Sequence, residues 1–393
     1  MCPSPMRVAY LALDVNLKDA SGDAIHVKEA TRALASAGAE IHLVVPAIEG
    51  RPQSDPGLEK GGVRIHSIAA TGNVQAALAC RKLAAKARAE LVYERRYSPK
   101  IGAAVSRATG LPLVVEVNGL LDVEAEILGK AKRRGKVTAA VKSRLRRSFY
   151  ARASRVVTVT PGLAKALQLR YGLPPEKVVV VPNGADTDLF RPQDAAAAKG
   201  ALGIPADRPT VGFVGTLYPW HGLQYLVGAA PPLVGLHPEI LFLVVGDGPI
   251  RGELEAHVKA AGMVRNFRFT GRVDHEAVPG FVNASDVCVS LIDAERYREK
   301  YGFSPLKLYE YLACGRPVVA TRTAGFDILE EFLCGLLVNP RDPLEVSSAI
   351  LSLLHNPGRR TEMGGRARKV AEERYSWRSV AERLLEVMRE AAG

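Results

Sequence analysis

Short apolar runs alternate with helical segments through both halves of the chain, and this alternation constrains the fold more than any other feature. Strands and helices in alternation are typical of a mainly parallel sheet with helices on both faces. Because the pattern occurs in each half of a chain of 393 residues, it predicts an α/β protein with two Rossmann-like domains. The predicted strands are residues 8–13, 41–45, 91–93, 113–117 and 156–160, then 210–214, 240–245, 266–270, 287–291 and 318–321.

The boundary between the two halves is predicted near residues 178–183, where a run of valines ends in a Pro-Asn-Gly turn. The predicted domains are therefore residues 1–183 and 184–374. Residues 375–393 are predicted to form a separate amphipathic helix. Its apolar face includes Leu384, Leu385 and Met388.

A short helix is predicted in the second half, directly before the last strand. Ser304 is a residue type that caps helices, and Pro305 suits the first helical position. The helix is expected to end at Cys314, because the next residue, Gly315, favours the left-handed conformation that follows many helices.

The start of this helix has the features of a nucleotide-sugar site. Backbone N–H groups at a helix N-terminus attract phosphate, and Lys307 lies within the first turn. Glu310 follows one turn later, where its carboxylate can accept hydrogen bonds from sugar hydroxyls. The sequence therefore predicts phosphate and sugar contacts on one short helix.

Several classes of protein are disfavoured by the composition. No stretch approaches ~20 uninterrupted apolar residues, which argues against a membrane-spanning helix, and no signal-peptide cleavage pattern follows the first strand. The five cysteines are scattered without a Cys-x-x-Cys pair, so a cysteine metal site is not expected and a reducing compartment is. These features predict a cytoplasmic protein.

The net charge of +12 arises from one segment. Residues 127–175 contain thirteen Lys and Arg and no Asp or Glu, whereas the rest of the chain is about neutral. Within the segment, apolar residues recur every four positions and indicate a basic amphipathic helix over residues 130–147. Two interpretations remain open, a solvated helix face and a surface for anionic lipid or an anionic acceptor. Nucleic acid is disfavoured, because no recognisable nucleic-acid-binding module with interleaved aromatic residues is present. The stripe consists of Val137, Val141, Leu145 and Phe149.

Five ordered motifs give the chain a resemblance to the retaining glycosyltransferases of family 4 (group 1), which have the GT-B fold. The motifs are Val181–Phe190, Val214–Gly222, Val244–Pro249, Gly271–Val273 and the run Phe303–Ala320. The resemblance implies two facing Rossmann-like domains with a cleft between them, and a C-terminal helix that packs back on the first domain. It also implies metal-independent transfer of a sugar, with no cofactor, from a nucleotide-sugar to a glycan, a lipid-linked or a small-molecule acceptor. A UDP- or GDP-sugar is the favoured donor.

The resemblance also assigns donor contacts in the second domain. Lys307 approaches the diphosphate, with the developing charge stabilised by fixed dipoles, and Glu310 binds the ribose as the second Glu of a Glu-x7-Glu motif. Further donor-binding positions are Asp247, Gly248, Arg272, Val273, Ser304, Pro305 and Leu306.

In the first domain the resemblance points to a glycine-containing loop and to a strand end. Gly22 matches the loop glycine whose backbone approaches the donor phosphate, and His26 is an acceptor-side candidate. Asn118 stands where the family has a histidine, so it can bond a sugar hydroxyl but cannot act as a base. Glu116 lies two residues earlier on the same strand.

Three further positions depart from the family pattern. The Arg and Lys that grip the diphosphate are replaced by Thr216 and His221, and the first Glu of Glu-x7-Glu is replaced by Gly302. His221 can still donate a hydrogen bond to phosphate. The missing positive charge is expected from nearby cations, for which the candidates are Lys307, Arg296, Arg298 and Lys300.

Two other classes of function remain as alternatives. A sugar-nucleotide epimerase can share the two-domain architecture, although Asn118 disfavours it because an epimerase needs acid and base groups at the cleft. A phosphorylase would need a lysine-bound pyridoxal cofactor, which nothing in the sequence supports. The epimerase and the phosphorylase form one class of alternative. The other class is a membrane- or nucleic-acid-binding protein, and it depends only on the basic segment at residues 127–175.

Overall fold

The chain forms two compact units in the computed structural model, which describes residues 5–19, 21–120, 136–293 and 301–393. The first unit comprises Met1–Pro182 together with Trp377–Gly393, and the second comprises Asn183–Ser376. Among the described residues, no helix combines the length and the apolar character needed to cross a membrane.

The first unit is built on a seven-stranded parallel sheet with the order β3-β2-β1-β4-β5-β6-β7. Its central strands are buried on both faces, which explains their almost continuous apolar sequences. The strands are β1 Arg7–Leu11, β2 Glu40–Pro46, β3 Arg64–Ile68, β4 Leu91–Arg95, β5 Leu113–Val117, β6 Arg155–Thr158 and β7 Val178–Val180. The helices are α1 Gly22–Ser36, α2 Pro56–Lys60, α3 Asn73–Lys86, α4 Lys100–Thr109, α5 Lys136–Arg152, α6 Pro161–Tyr171 and the C-terminal helix Trp377–Ala392.

The second unit has a six-stranded parallel sheet with the order β10-β9-β8-β11-β12-β13. The strands are β8 Thr210–Val214, β9 Leu241–Val245, β10 Phe267–Phe269, β11 Val287–Ser290, β12 Val318–Thr321 and β13 Gly335–Val338. The helices are α7 Ala195–Ala201, α8 Leu223–Leu236, α9 Arg251–Ala260, α10 Val278–Asn283, α11 Leu306–Ala313, α12 Ile328–Glu331, α13 Pro343–Leu354 and α14 Pro357–Arg374. Trp377–Ala392 is accordingly α15.

Two parallel α/β units confirm the predicted fold class. Three strands at or next to sheet edges were missed by the sequence prediction, namely β3, β7 and β13. The C-terminal amphipathic helix was predicted correctly, and α15 packs against α1 within the first unit through a buried apolar face.

Of the basic helix predicted over residues 130–147, residues 136–147 belong to α5, whereas residues 130–135 lie outside the described residues. The apolar stripe of α5 is not covered by the described part of the first unit. Val141 and Leu145 are each 51% exposed, whereas Phe149 is half-buried. The side chain of Val137 lies outside the described residues. Basic side chains of the helix also contact the first unit: the Arg146 guanidinium lies 4.5 Å from the centroid of the Tyr97 ring, and Arg152 Nη2 donates to the Ser106 carbonyl oxygen at 3.3 Å.

Candidate active site

Three loops at the carboxyl edge of the second sheet are joined by backbone hydrogen bonds. Gly215 N donates to Val245 O, and Leu217 N donates to Asp247 O, each at 2.9 Å. Gly246 N donates to Gly271 O at 2.9 Å. The segments that follow β8, β9 and β10 therefore form one surface at the edge where parallel α/β sheets bind ligands.

Glycine is required where two of these loops touch. Gly215 and Gly246 have φ of +139° and +128°, conformations that L side chains rarely adopt. A Cβ at Gly246 would overlap the Gly215 carbonyl oxygen, and a Cβ at Gly248 would lie 2.6 Å from Leu217 N. The predicted donor-loop residue Gly248 thus allows direct backbone contact between the loops.

The carboxylate of Asp247 is bonded within its own loop and to a neighbouring arginine. Its carboxylate accepts a hydrogen bond from Gly248 N at 2.7 Å and lies 3.4 Å from Arg251 Nη1. Arg251 is the first residue of α9 and also approaches Gly271. This cation was not among the predicted site residues, although its position two residues after the Gly-Asp-Gly-Pro loop was a usable signal.

Lys307 lies beside the first of the three loops. Its ammonium is 4.2 Å from the centroid of the Phe213 ring, and a Cβ at Gly215 would lie 2.5 Å from Nζ. Burial lowers the pKa of Lys307 to about 7, although the charge of Glu310 acts in the opposite direction. The structure therefore brings one titratable cation against Gly215, the residue before Thr216, where the family resemblance leads one to expect an arginine.

Helix α11 begins one residue later than the sequence predicted. Pro305 is the N-cap with extended backbone, and no side chain caps the helix. The prediction that Ser304 is the cap was wrong, because its hydroxyl accepts from Asn183 N at 3.0 Å and bonds the Tyr309 hydroxyl. The start of α11, at Leu306, thus has backbone N–H groups without a side-chain cap.

His221 stabilises the loop that carries Thr216. Its Nδ1 hydrogen-bonds the Thr216 carbonyl oxygen, which can only accept, so Nδ1 carries the proton. The ring also stands edge-on to the stacked rings of Tyr218 and Trp220, whose centroids are 4.4 Å apart. One of the two imidazole nitrogens is thereby used within the loop.

Glu310 is 7% exposed and has a partner that the sequence analysis missed. Its Oε1 lies 2.9 Å from Nε2 of His275, three residues beyond Arg272. Arg272 itself is exposed, while Val273 packs against the apolar cores of the unit. The family motif around Arg272 gave no indication of this histidine contact.

Gly302 has a conformational reason for replacing a glutamate. Its φ is +72°, and a Cβ would lie 3.2 Å from the Ala324 carbonyl oxygen. A glutamate here would be strained and crowded. Of the other proposed sources of charge, Arg296, Arg298 and Lys300 lie outside the described residues.

In the first unit, Gly22 is the exposed first residue of α1. Ser21 caps the helix by accepting from Ala24 N at 3.3 Å. Asp23 lies 2.5 Å from the buried Arg95, which fixes the first turn. The glycine that was predicted in the loop before the helix is instead the accessible first residue of the helix.

His26 is buried in the interior of the first unit. Its Nε2 lies 2.6 Å from Glu116 Oε1, and its ring meets Trp377 edge-on at 5.3 Å. Burial raises the pKa of Glu116, but the charges of His26 and Arg95, together with hydrogen bonds from His26 and Tyr93, lower it to about 2. Tyr93 also donates to this carboxylate, at 2.8 Å. His26 and Glu116 thus join α1 to β5 in the interior of the first unit.

Asn118 lies just beyond the carboxyl end of β5 and is half-buried. Its Oδ1 has no hydrogen-bond partner among the residues that the structure describes. Glu116, two residues earlier, is committed to the buried network. Of the two residues, Asn118 is therefore the one whose side-chain oxygen can accept a hydrogen bond from a ligand.

A small cavity of about 190 Å³ lies at the carboxyl edge of the first sheet. Its wall includes Thr71, Gly72 and Asn73 at the start of α3 and Arg96 at the end of β4. Across the described ranges, no group of three or more His, Cys, Asp or Glu side chains is arranged to hold a metal ion.

The geometry brings together most of the predicted donor-side residues of the second unit. Thr216, His221, Asp247 and Gly248 belong to loops in mutual contact, and Lys307 lies against the first of these loops. Glu310 shares α11 with Lys307. Gly22, His26 and Asn118 belong to the first unit, where His26 and the strand of Asn118 are joined through Glu116.

Comparisons with known families agree with this arrangement. Residues 208–356 match the family model described as glycosyl transferases group 1, and residues 20–189 match the model described as glycosyltransferase family 4. Both are glycosyltransferase models, and together they span most of the chain. The chain belongs to the family 4 glycosyltransferases, and its two units have the GT-B fold.

Curated relatives cover from about three quarters to nearly all of the chain. The D-inositol 3-phosphate glycosyltransferase of Acidothermus cellulolyticus is 29% identical over 99% of this chain and 91% of its own length. The alpha-D-kanosaminyltransferase of Streptomyces kanamyceticus is 27% identical over 73% of this chain and 72% of its own. Both relatives are thus named for sugar transfer.

Solved structures share the fold at low identity. Anabaena Alr3699/HepE, solved with UDP, has a TM-score of 0.76 and 19% identity over 98% of this chain and all of its own. The sucrose-phosphate synthase of Thermosynechococcus elongatus has a TM-score of 0.75 and 22% identity over 98% of both chains. These likenesses establish the architecture.

Proposed function

We propose that this glycosyltransferase moves a sugar from a UDP- or GDP-sugar to an acceptor with retention at the anomeric carbon and without a metal ion. The observation that carries the proposal is the position of Lys307 beside the Gly215–Thr216 backbone, at the start of α11. A cation and an uncapped helix start at one place favour a bound diphosphate.

Each part of the donor has a candidate partner in the second unit. Lys307 and the first N–H groups of α11, beyond Ser304 and Pro305, bind the diphosphate, and Glu310 binds the ribose. The loop of Asp247 and Gly248 lies against the nucleotide, and Arg272 and Val273 flank the base. A relative of the same fold has been solved with UDP-glucose, which supports a nucleotide-sugar donor here.

The chemical demand is stabilisation of the leaving group. The bond from the anomeric carbon to the diphosphate oxygen breaks, a bond to the acceptor oxygen forms on the same face of the sugar, and the proton of the acceptor hydroxyl passes to the departing diphosphate. Negative charge grows on the diphosphate, where fixed positive charge and backbone dipoles lower the barrier. Lys307 supplies charge in place of the family arginine, and Arg251 adds a second cation near the same loops.

The acceptor side belongs to the first unit in this proposal. Asn118 offers an amide to a sugar or polyol hydroxyl, Gly22 offers the start of α1, and the cavity at Arg96 suits a small hydrophilic group. The acceptor class is a glycan, a lipid-linked sugar or a small polyol. Transferase names among the relatives favour this reaction over epimerisation of a sugar nucleotide.

We place the reaction in the cytoplasm, with peripheral contact at an anionic membrane surface. Among the described cysteines, Cys80, Cys288, Cys314 and Cys334 are free and buried, which suits a reducing compartment. The exposed Val141 and Leu145 within the basic helix α5 support contact with anionic lipid.

A thermal-shift screen with UDP, GDP, ADP and dTDP sugars tests the donor class. A ligand that binds only the folded protein raises its melting temperature, and the selected donor is then used for kinetics in excess EDTA. We expect Lys307→Ala and Glu310→Ala to reduce kcat/KM strongly, and Lys369→Ala, a change at an exposed lysine, to leave it unchanged. Unchanged kinetics in both site variants, or a strict metal requirement, would refute the proposal.

A further inference from the structure

The two carboxylate oxygens of Glu310 have different surroundings. Oε1 is 2.9 Å from His275 Nε2. For Oε2, the structure records no hydrogen bond within the described residues. A carboxylate that is 7% exposed needs partners, because burying an unpaired charge is costly. One oxygen is therefore fixed by the protein, and the other remains for a ligand.

His275 comes from a different segment from Glu310. It begins the 3-10 turn His275–Ala277, which follows the loop after β10, whereas Glu310 belongs to α11. The Ala277 N–H donates to the Asp274 carbonyl at 2.9 Å and closes the turn. The imidazole also packs on the fully buried ring of Phe190, with centroids 5.2 Å apart. The imidazole is thus also held by contacts from outside α11.

The donor in this contact is the histidine. An ionised carboxylate can only accept, so Nε2 carries the hydrogen that it gives to Oε1. This hydrogen bond restricts rotation of the carboxylate about its last torsion, a broad and soft torsion in glutamate. A fixed carboxylate plane keeps the direction in which Oε2 accepts.

We propose that His275 is a positioning residue that orients Glu310 toward the ribose of the nucleotide, and so sets the preference for ribose over deoxyribose. The inference rests on the proposed function, in which Glu310 binds the ribose. A ribose hydroxyl gains more binding free energy from a carboxylate that is already oriented and partly desolvated than from a carboxylate that must be ordered on binding.

Calorimetric titration with UDP and with its 2′-deoxy and 3′-deoxy analogues measures that preference directly, with the GDP series substituted if the thermal-shift screen selects GDP. In the native protein we expect UDP to bind about tenfold more tightly than at least one deoxy analogue, the usual scale for a hydrogen bond to a charged group. Glu310→Ala should abolish this difference.

Two substitutions at position 275 separate orientation from packing. His275→Phe keeps a ring against Phe190 and removes the donor, whereas His275→Gln keeps an N–H donor and removes the ring. We expect His275→Phe to bring the preference close to that of Glu310→Ala, and His275→Gln to restore much of it. The double variant of His275→Phe and Glu310→Ala should behave like Glu310→Ala alone, since both changes remove one interaction. His257→Ala, at an exposed position on α9, is the control.

The outcomes distinguish failure of the ribose assignment of Glu310 from failure of the positioning role of His275. If Glu310→Ala retains the full preference for ribose, the ribose assignment of the proposed function fails, and the role of His275 fails with it. If Glu310→Ala loses the preference while His275→Phe retains it, only the role of His275 is overturned. A loss of affinity that is equal for UDP and both deoxy analogues in His275→Phe would also overturn it.

Discussion

The ammonium of Lys307 occupies the space that a side chain at Gly215 would need, since a Cβ there would lie 2.5 Å from Nζ. Lys307 belongs to α11 and Gly215 follows β8, so two distant segments define this contact. The absent side chain at position 215 creates the space for the cation. A residue other than glycine would have to move the charge away from Thr216.

We predict that Gly215→Ala lowers kcat/KM by roughly tenfold or more, because it displaces Lys307 and strains a backbone with φ of +139°. Steady-state kinetics with the donor selected by thermal shift measures the effect. The matched control is Gly228→Ala, within α8, where a Cβ would meet nothing within 4 Å.

The control should retain full activity and equal or slightly raised stability. Full activity of Gly215→Ala in a protein that still binds donor normally would contradict the placement of Lys307 at the reacting phosphate.

The lowered pKa of Lys307 predicts a pH-dependent affinity for nucleoside diphosphates. With a pKa of about 7 in the free protein, the amine is mostly neutral at pH 8. A bound diphosphate favours the charged form, so binding at pH 8 should take up close to one proton, and affinity should fall as the pH rises above about 7. Titration calorimetry in two buffers of different ionisation enthalpy measures this uptake.

Lys307→Arg provides the comparison, because arginine stays charged throughout this range. Its binding should be independent of pH between 7 and 9 and should show no proton uptake. Lys369→Arg, at an exposed position, should behave like the native protein. Equal proton uptake in the native protein and Lys307→Arg would exclude Lys307 as the titrating group.

The alternation of apolar runs and helices was sufficient to predict both units, because buried parallel strands have the most distinctive sequences. The missed strands show where this signal fails. β3, with the sequence Arg-Ile-His-Ser-Ile, lies at a sheet edge and is only partly buried, so no strong apolar pattern was required. β13 is a four-residue edge strand that begins with glycine.

The site was predictable where a motif lies on one segment and not where it depends on tertiary contact. Lys307 and Glu310 share a helix, and sequence spacing alone placed them together. The partner of Glu310 is 35 residues away, at His275, and no spacing rule connects them. The Ser304 hydroxyl likewise accepts a hydrogen bond from Asn183 instead of capping the helix, and no sequence pattern indicated this distant partner.

The buried pair of His26 and Glu116 predicts a loss of stability in acid. The pKa of Glu116 is about 2 in the folded protein and about 4.5 in its ordinary range, so its ionised form stabilises the fold above pH 4.5. That contribution, on the order of 3 kcal/mol, should disappear as the pH falls from about 4.5 to 2. Glu116→Gln should therefore be less stable at pH 7 and lose less on acidification.

Trp377 fluorescence reports on this region, since its ring touches His26 and Trp220 is the one other tryptophan in the chain. Denaturant unfolding in a Trp220→Phe background isolates the signal. Glu386→Gln, at an exposed position on α15, should follow the native pH dependence. Parallel acid profiles for the native protein and Glu116→Gln would contradict the prediction.

The exposed stripe of α5 predicts binding to anionic vesicles. Membrane contact of this kind combines apolar insertion with attraction between basic side chains and acidic lipid, so it should weaken with salt and with loss of either component. We expect Val141→Ser with Leu145→Ser, and separately Lys142→Ser with Arg144→Ser, each to lower the vesicle-bound fraction severalfold in co-sedimentation. All four side chains are exposed, so the fold should be preserved.

Arg146 is a poor choice for this test, because its guanidinium packs on Tyr97 and its loss would disturb the first unit. Val74→Ser, at an exposed apolar position on α3, is a suitable control for apolar loss elsewhere. Neutral vesicles should bind little in every case. If the stripe and charge variants bind anionic vesicles as the native protein does, α5 is a solvated helix face, and the acceptor must be sought without a membrane surface.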